Sequence, residues 1–164
     1  MDRLWSPWRS EYIASAGDAD ETVCIFCKLR DDPDSDESNF VVYRGSHNFV
    51  VLNRYPYISG HLLIVPYEHV GELDKAAKAI TDELMDLAKQ SQTALRAIYK
   101  PDGFNLGMNL GRAAGAGIEN HIHLHFLPRW SGDTNFMTSV GEARVLPEDL
   151  STTYGKLRGK LGGF

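Results

Sequence analysis

Cysteine is almost missing from this 164-residue chain: there are two, and both fall in Cys24-Ile25-Phe26-Cys27. Two thiols cannot build a disulfide framework, so a small secreted, disulfide-stapled scaffold is excluded. No apolar run approaches the roughly 18 residues that a membrane-spanning helix needs, and Met1 to Ser10 carries Trp5 and Trp8 but no apolar signal core. A soluble, cytoplasmic protein with no membrane partner is expected. Basic charge is also short, with 17 Lys and Arg against 22 Asp and Glu, a formal net charge of −5 and a pI near 5.6. Without a basic stripe a general nucleic-acid surface is excluded, and any phosphate site has to be local. No internal repeat occurs, and 43% hydrophobic residues over this length suffice for one domain with a real core.

Histidine is concentrated. Three of the six stand in His121-Ile122-His123-Leu124-His125-Phe126-Leu127-Pro128, alternating with large apolar residues. Period two predicts a half-buried strand with His121, His123 and His125 on one face and Ile122, Leu124 and Phe126 on the other. At about 3.3 Å per residue, same-face neighbours stand about 6.6 Å apart, near enough to share a small anionic ligand or to divide two tasks. Two chemistries fit. In one, His-x-His gives two ligands to a catalytic metal; in the other, the middle imidazole attacks phosphorus while its neighbours hold oxygens. The Cys24/Cys27 pair is half of a zinc site in need of two histidines from elsewhere; it lacks the strand-then-helix context of a redox pair.

Along the chain, Leu4, Trp5, Trp8, Tyr12 and Ile13 form a segment expected to pack on the core, and the acidic stretch from Arg30 to Ser38 reads as a solvated loop. Strands are predicted over Asn39 to Arg44, His47 to Asn53 and His61 to Val65, with Gly45-Ser46 as a hairpin turn and Pro66 as a stop. Thr81 to Lys100 predicts a long helix, with Thr81 capping its start, Leu84, Leu87, Ala88, Ser91, Ala94, Leu95 and Ile98 on one side, and Pro101 after its end. Phe104 to Leu110 alternates weakly as a fourth strand, and Arg112 to Gly117 is a small-residue loop whose amides can approach a phosphate closely. Pro147 to Leu161 predicts a final helix with Pro147 in its opening turn. The order implies an α+β fold: one mainly antiparallel sheet of about five strands, a long helix across it and a C-terminal helix.

His121-x-His123-x-His125, Gly60-His61-Leu62-Leu63-Ile64-Val65-Pro66 and Cys24-x-x-Cys27 together resemble the histidine-triad nucleotide-binding proteins. The resemblance covers about 23 to 136, dividing the chain into an N-terminal extension over 1–22, the histidine-triad domain over 23–136 and a C-terminal segment over 137–164 packed on the same domain. The extended tail Leu127-Pro128-Arg129-Trp130 with Gly132-Asp133-Thr134-Asn135-Phe136, and the opening Leu4-Trp5-Ser6-Pro7-Trp8-Arg9, are similar to its diadenosine tetraphosphate phosphorylase branch.

The resemblance implies nucleotidyl transfer through a covalent nucleotidyl-histidine, with no catalytic metal. His123 would attack the α-phosphorus, and His125 and His61 match positions that contact phosphate oxygens. Asn53 matches a nucleoside-pocket residue, and Asn109 with Gly115, Ala116 and Gly117 matches the phosphate-facing loop. Cys24, Cys27, His69 and His121 match the ligands of a structural zinc in some bacterial relatives. A homodimer is implied as well. One departure bears on the acceptor: where many water-using members carry glutamine four residues before the first triad histidine, this chain has Gly117, which leaves room for inorganic phosphate, helped by Arg112 or Arg129. The expected substrate is an adenine nucleotide or dinucleoside polyphosphate, above all diadenosine tetraphosphate split by phosphate into ADP and ATP. The alternatives are hydrolysis of dinucleoside polyphosphates or nucleoside phosphoramidates, a zinc-stabilised nucleotide-binding module with little turnover, and a hydrolase with His121 and His123 on one catalytic ion.

Overall fold

Apolar strand faces set the architecture. A computed structural model describes residues 24–134 and 146–162; the Trp5/Trp8 segment, the 1–22 extension and Asn135 onward to 145 lie outside them. Five strands, β1 (Val41–Arg44), β2 (Asn48–Leu52), β3 (Leu62–Pro66), β4 (Gly103–Gly107) and β5 (Leu124–Arg129), form one sheet in the order β1-β2-β3-β5-β4, with every pairing antiparallel. Helix α1 is Ile25–Asp31, α2 is Lys78–Tyr99 and α3 is Leu150–Leu157. The α+β class, the five strands and the long and C-terminal helices are those read from the sequence.

Both faces of the sheet are covered, and they differ. On one side Val50, Leu52, Leu62, Ile64, Leu124 and Phe126 pack with Leu84, Leu87, Ala88 and Leu95 of α2 and with Tyr154 and Leu157 of α3. On the other, Val41, Phe49, Val51, Leu63 and Val65 pack with Phe26 of α1. His125 lies opposite Leu63 in the β3–β5 ladder, so it belongs to the α1 side and Leu124 and Phe126 to the α2 side. The strand starts only at Leu124; His121 and His123, which precede it instead of lying in it as the period-two pattern predicts, reach the α1 side through their contacts with Phe26.

Element limits shift for identifiable reasons. Arg30 to Ser38 is not simply a loop: α1 runs to Asp31, and a 3₁₀ turn follows at Pro33–Ser35. Helix α2 begins three residues before Thr81, after Ala77, which supplies no side-chain cap; the Thr81 hydroxyl donates back to the Lys78 carbonyl instead. At its other end Lys100 is left-handed (φ 48°) just before Pro101. Helix α3 starts at Leu150 because the Asp149 carboxylate accepts the Thr152 N–H at 2.7 Å, a true N-cap that displaces Pro147 from the opening turn. Pro128 sits inside β5 and not at its end: β3 pairs no further than Phe126, so the missing N–H breaks no bond to it.

The β1–β2 turn is tied to α2 by a single carboxylate. Glu83 accepts the Ser46 and His47 N–H groups and the Asn48 side-chain amide, each at 2.7 Å. Burial would raise its pKa, but those hydrogen bonds outweigh burial and hold it below the usual carboxylate value.

Candidate functional site

The residues singled out as catalytic and as metal ligands separate into two clusters on the α1 side. The first is an imidazole chain whose protonation follows from its partners. Tyr57 donates its backbone N–H to His61 Nδ1 at 3.2 Å, and the Asn53 amide approaches the same atom at 3.3 Å. That nitrogen is therefore the bare one, and the proton is on Nε2, which donates to His125 Nδ1 at 2.9 Å. The proton of His125 is consequently on its own Nε2, an N–H donor at the far end of the chain. The Tyr57 ring lies against both, 4.7 Å from His61 and stacked 6.1 Å from His125.

His123 carries the opposite tautomer. Its Nδ1 is 3.0 Å from the His121 carbonyl oxygen, which can only accept, so Nδ1 bears the proton and Nε2 keeps its lone pair. Its ring centre is 4.9 Å from that of His125. A nucleophilic nitrogen and a hydrogen-bond donor thus stand side by side, an arrangement able to attack an electrophilic centre and to stabilise the charge that develops there.

Burial keeps these rings neutral. It pushes His61 down to about 3 and His125 down to about 4, with repulsion from neighbouring histidines second, and it lowers His123 against the opposing effect of the His121 carbonyl. A neutral imidazole is the form that can act as a nucleophile.

His123 and His125 border a cavity of about 240 Å³. Its apolar lining includes Ile25, Phe26, Leu29, Phe40, Val51 and Leu63, and its polar lining Asn53, Asn109, Gly115 and Gly117. Asn109 donates to the Gly115 carbonyl at 3.3 Å, closing the small-residue loop. Gly115 is left-handed (φ 87°), a conformation that favours glycine. Ala116 does not reach the cavity surface.

His61 does not reach it either. It is fully buried, and both ring nitrogens are engaged, so in this arrangement it acts on the cavity through His125. Of the two arginines expected beside a phosphate, Arg112 is paired with Glu119, and Arg129 with Asp133 and Asn105. Arg129 borders a second cleft of about 610 Å³ that also includes Tyr57, Tyr99 and Trp130.

The second cluster joins Cys24, Cys27, His69 and His121, whose ligand atoms all lie within 4.8 Å of one another. Cys24 Sγ is 3.4 Å and Cys27 Sγ 3.8 Å from His121 Nδ1, and Cys27 Sγ is 3.3 Å from His69 Nδ1. A tetrahedron with zinc–ligand bonds of about 2.0–2.3 Å has edges of about 3.3–3.8 Å, which these three sulfur–nitrogen separations match. Orientation fits too: His121 Nε2–H donates to the Pro66 carbonyl at 2.8 Å, which leaves Nδ1 bare toward the sulfurs. Burial first, and Cys24 second, push the Cys27 thiol above its ordinary value; a divalent cation among the four atoms would reverse that. Two sulfurs and two imidazoles form a closed set of structural type.

His121 belongs to this group and His123 does not, and the His123 Nδ1 is spent on a carbonyl.

Phe26 and Tyr57 escaped the sequence reading. Phe26 lies between the clusters, its ring centre 5.3 Å from His121 and 5.0 Å from His123. Its position inside the Cys-x-x-Cys pair was the available signal; for Tyr57, whose main contribution is a backbone N–H, there was none.

The HIT domain profile matches residues 35–132. The chain is 39% identical over 157 residues to the AP-4-A phosphorylase of Mycobacterium tuberculosis, covering 93% of this chain and 80% of that one. It is 32% identical over 139 residues to an uncharacterised HIT-like protein of Methanocaldococcus jannaschii, covering 84% of this chain and 100% of the relative. Among solved structures it resembles a zinc-bound histidine triad family protein from Mycobacterium smegmatis, with a TM-score of 0.68 and 27% identity, over 84% of this chain and 92% of the other.

Proposed function

Because this chain belongs to the HIT-domain family, we propose that it is a nucleotidyltransferase that works through a covalent nucleotidyl-His123 and splits diadenosine tetraphosphate with inorganic phosphate. The observation that carries this reading is the tautomer of His123: a proton fixed on Nδ1 by the His121 carbonyl and a lone pair on Nε2 in a ring that borders the cavity. The apolar wall of Ile25, Phe26, Leu29 and Phe40 suits a nucleoside, and the Asn109 to Gly117 loop supplies polar groups at the cavity edge for phosphate oxygens.

In the first step His123 Nε2 attacks the α-phosphorus, an N–P bond forms, and the P–O bond to the leaving ATP breaks. His125 Nε2–H hydrogen-bonds an oxygen that gains charge, and His61 holds His125 in the donating tautomer. In the second step a phosphate oxygen attacks the same phosphorus, the N–P bond breaks, and ADP leaves with His123 restored. Zinc on Cys24, Cys27, His69 and His121 acts structurally, since a closed four-ligand set leaves no position for substrate.

Phosphate is favoured as acceptor by Gly117, which borders the cavity without a side-chain amide to organise water and leaves space for a bulkier nucleophile. The resemblance to a mycobacterial AP-4-A phosphorylase points the same way. The test is product analysis. Diadenosine tetraphosphate with phosphate should give ADP and ATP at a rate that rises with phosphate, and His123→Asn should still bind AMP but lose turnover by several orders of magnitude. AMP and ATP formed at a rate indifferent to phosphate would make the protein a hydrolase; a His123→Asn variant retaining more than about a tenth of the activity would remove the nucleophile.

A further inference from the structure

The metal cluster and the cavity share a wall. Cys24 and Cys27 bracket Ile25 and Phe26, and both of these border the cavity, as does Leu29 on the next turn. Phe26 is buried, and its ring is wedged between the imidazole that faces the sulfurs and the imidazole that faces the cavity. The backbone adds a second tie, because the carbonyl that fixes the His123 tautomer belongs to His121, whose ring points at Cys24 and Cys27.

Helix α1 cannot hold that wall by its own stability. It has seven residues and no side-chain cap at its start, well below the length at which isolated helices persist. Its C-terminal end is anchored: Arg44 donates to the Leu29 and Arg30 carbonyls at 2.7 and 3.3 Å, and Arg30 donates to the Tyr67 carbonyl at 3.1 Å. Its first turn is the part that carries the cysteines, and Ile25, an exposed residue that lines the cavity, lies there.

We propose that zinc and nucleotide bind with positive coupling, through the first turn of α1 and the His121–His123 hydrogen bond. The proposal rests on the nucleotide reading of the cavity. Zinc holds Cys24 and Cys27 and so fixes Ile25 and Phe26 as a preformed surface; a nucleoside packed against Ile25, Phe26 and Leu29 in turn keeps the sulfurs where a metal needs them. Each ligand removes part of the ordering cost of the other. Binding linkage then requires the two effects to be equal: the factor by which zinc tightens nucleotide is the factor by which nucleotide tightens zinc.

AMP, which leaves no bond to transfer, is the probe. Its affinity is measured by calorimetry for zinc-loaded protein and for chelator-stripped protein whose circular dichroism shows it folded, and zinc affinity is measured by competition with a chromophoric chelator with and without saturating AMP. The two ratios should agree and lie at about 5- to 150-fold. Equal AMP affinity with and without zinc would overturn the coupling and leave the function standing, whereas zinc-loaded protein that binds no AMP would take down both. Should stripping unfold the chain, cobalt-substituted protein decides: AMP should shift the thiolate–cobalt absorption bands, an effect that a merely stabilising metal would not show, and a spectrum unchanged at saturating AMP would overturn the coupling. Phe26→Leu, loaded with one zinc, should lower the coupling factor or diminish the band shift.

Discussion

At the scale of single residues, the site is decided by which ring nitrogen carries a proton. Two histidines two positions apart end up with opposite tautomers, His123 with a bare Nε2 and His125 with a protonated one, because one faces the His121 carbonyl and the other faces His61. His61 is a positioning residue. In His61→Asn the shorter amide cannot reach from β3 to His125 Nδ1, His125 is free to adopt either tautomer, and the donor is lost for part of the time. Turnover should fall by about 10²-fold with AMP affinity within about threefold, read as a change in kcat at nearly constant KM; a variant with wild-type kcat would reduce His61 to a packing residue. The triad, and the grouping of His121 with Cys24, Cys27 and His69, were legible in the sequence through spacing and resemblance. The burial of His61 was not, since it depends on the β2–β3–β5 register and on a backbone N–H from Tyr57, neither of which leaves a mark in residue type.

At the scale of elements, what escaped reading is what is too short to show a period. Helix α1 has one buried apolar residue, Phe26, and its last residue, Asp31, opens an acidic run, so its end reads as part of the Arg30 to Ser38 loop; its place is set by ties to Arg44, Tyr67 and the metal cluster, all distant in sequence. The long elements were legible because α2 repeats its apolar positions over 22 residues. Between these extremes is Gly60, which stands in the sequence just before the strand predicted over His61 to Val65. It is left-handed (φ 80°), and a Cβ there would stand 3.0 Å from a Leu95 methyl and 3.3 Å from Pro128. This glycine lets the Tyr57 to His61 loop close down on α2 and β5, which is how the Tyr57 N–H reaches His61. Gly60→Ala should therefore cost about 1–3 kcal/mol in stability by denaturant unfolding and should weaken turnover as well, since the strain falls on the loop that orients His61. A variant as stable and as active as the parent would show that the loop has slack that the packing does not suggest.

For the molecule as a whole, the two faces of the sheet divide the work. The α2 and α3 side is a continuous apolar core, while the α1 side buries a smaller apolar cluster together with imidazoles that must stay neutral. That division makes acid the weak point. His61 and His125 take up protons in the folded chain only near pH 3 and pH 4, with burial the main cause, whereas an unfolded histidine does so near its ordinary value of about 6.5. Between those limits the unfolded chain binds more protons, so stability rises with pH across the window and is lost as pH falls from about 6.5 toward 4. Glu83, held below its ordinary value by hydrogen bonds that outweigh its burial, adds a loss of the same direction only at the acidic end of that range. Urea unfolding at pH 7.0 and 5.5 in zinc-saturated buffer separates the two, because near pH 5.5 carboxylates are still ionised and the histidines dominate. Wild type should lose stability over that interval, and His125→Asn, with one fewer buried imidazole to keep neutral, should lose less. An equal loss in both would mean that the fall comes from metal release at Cys24, Cys27, His69 and His121, and not from the imidazoles of the cavity.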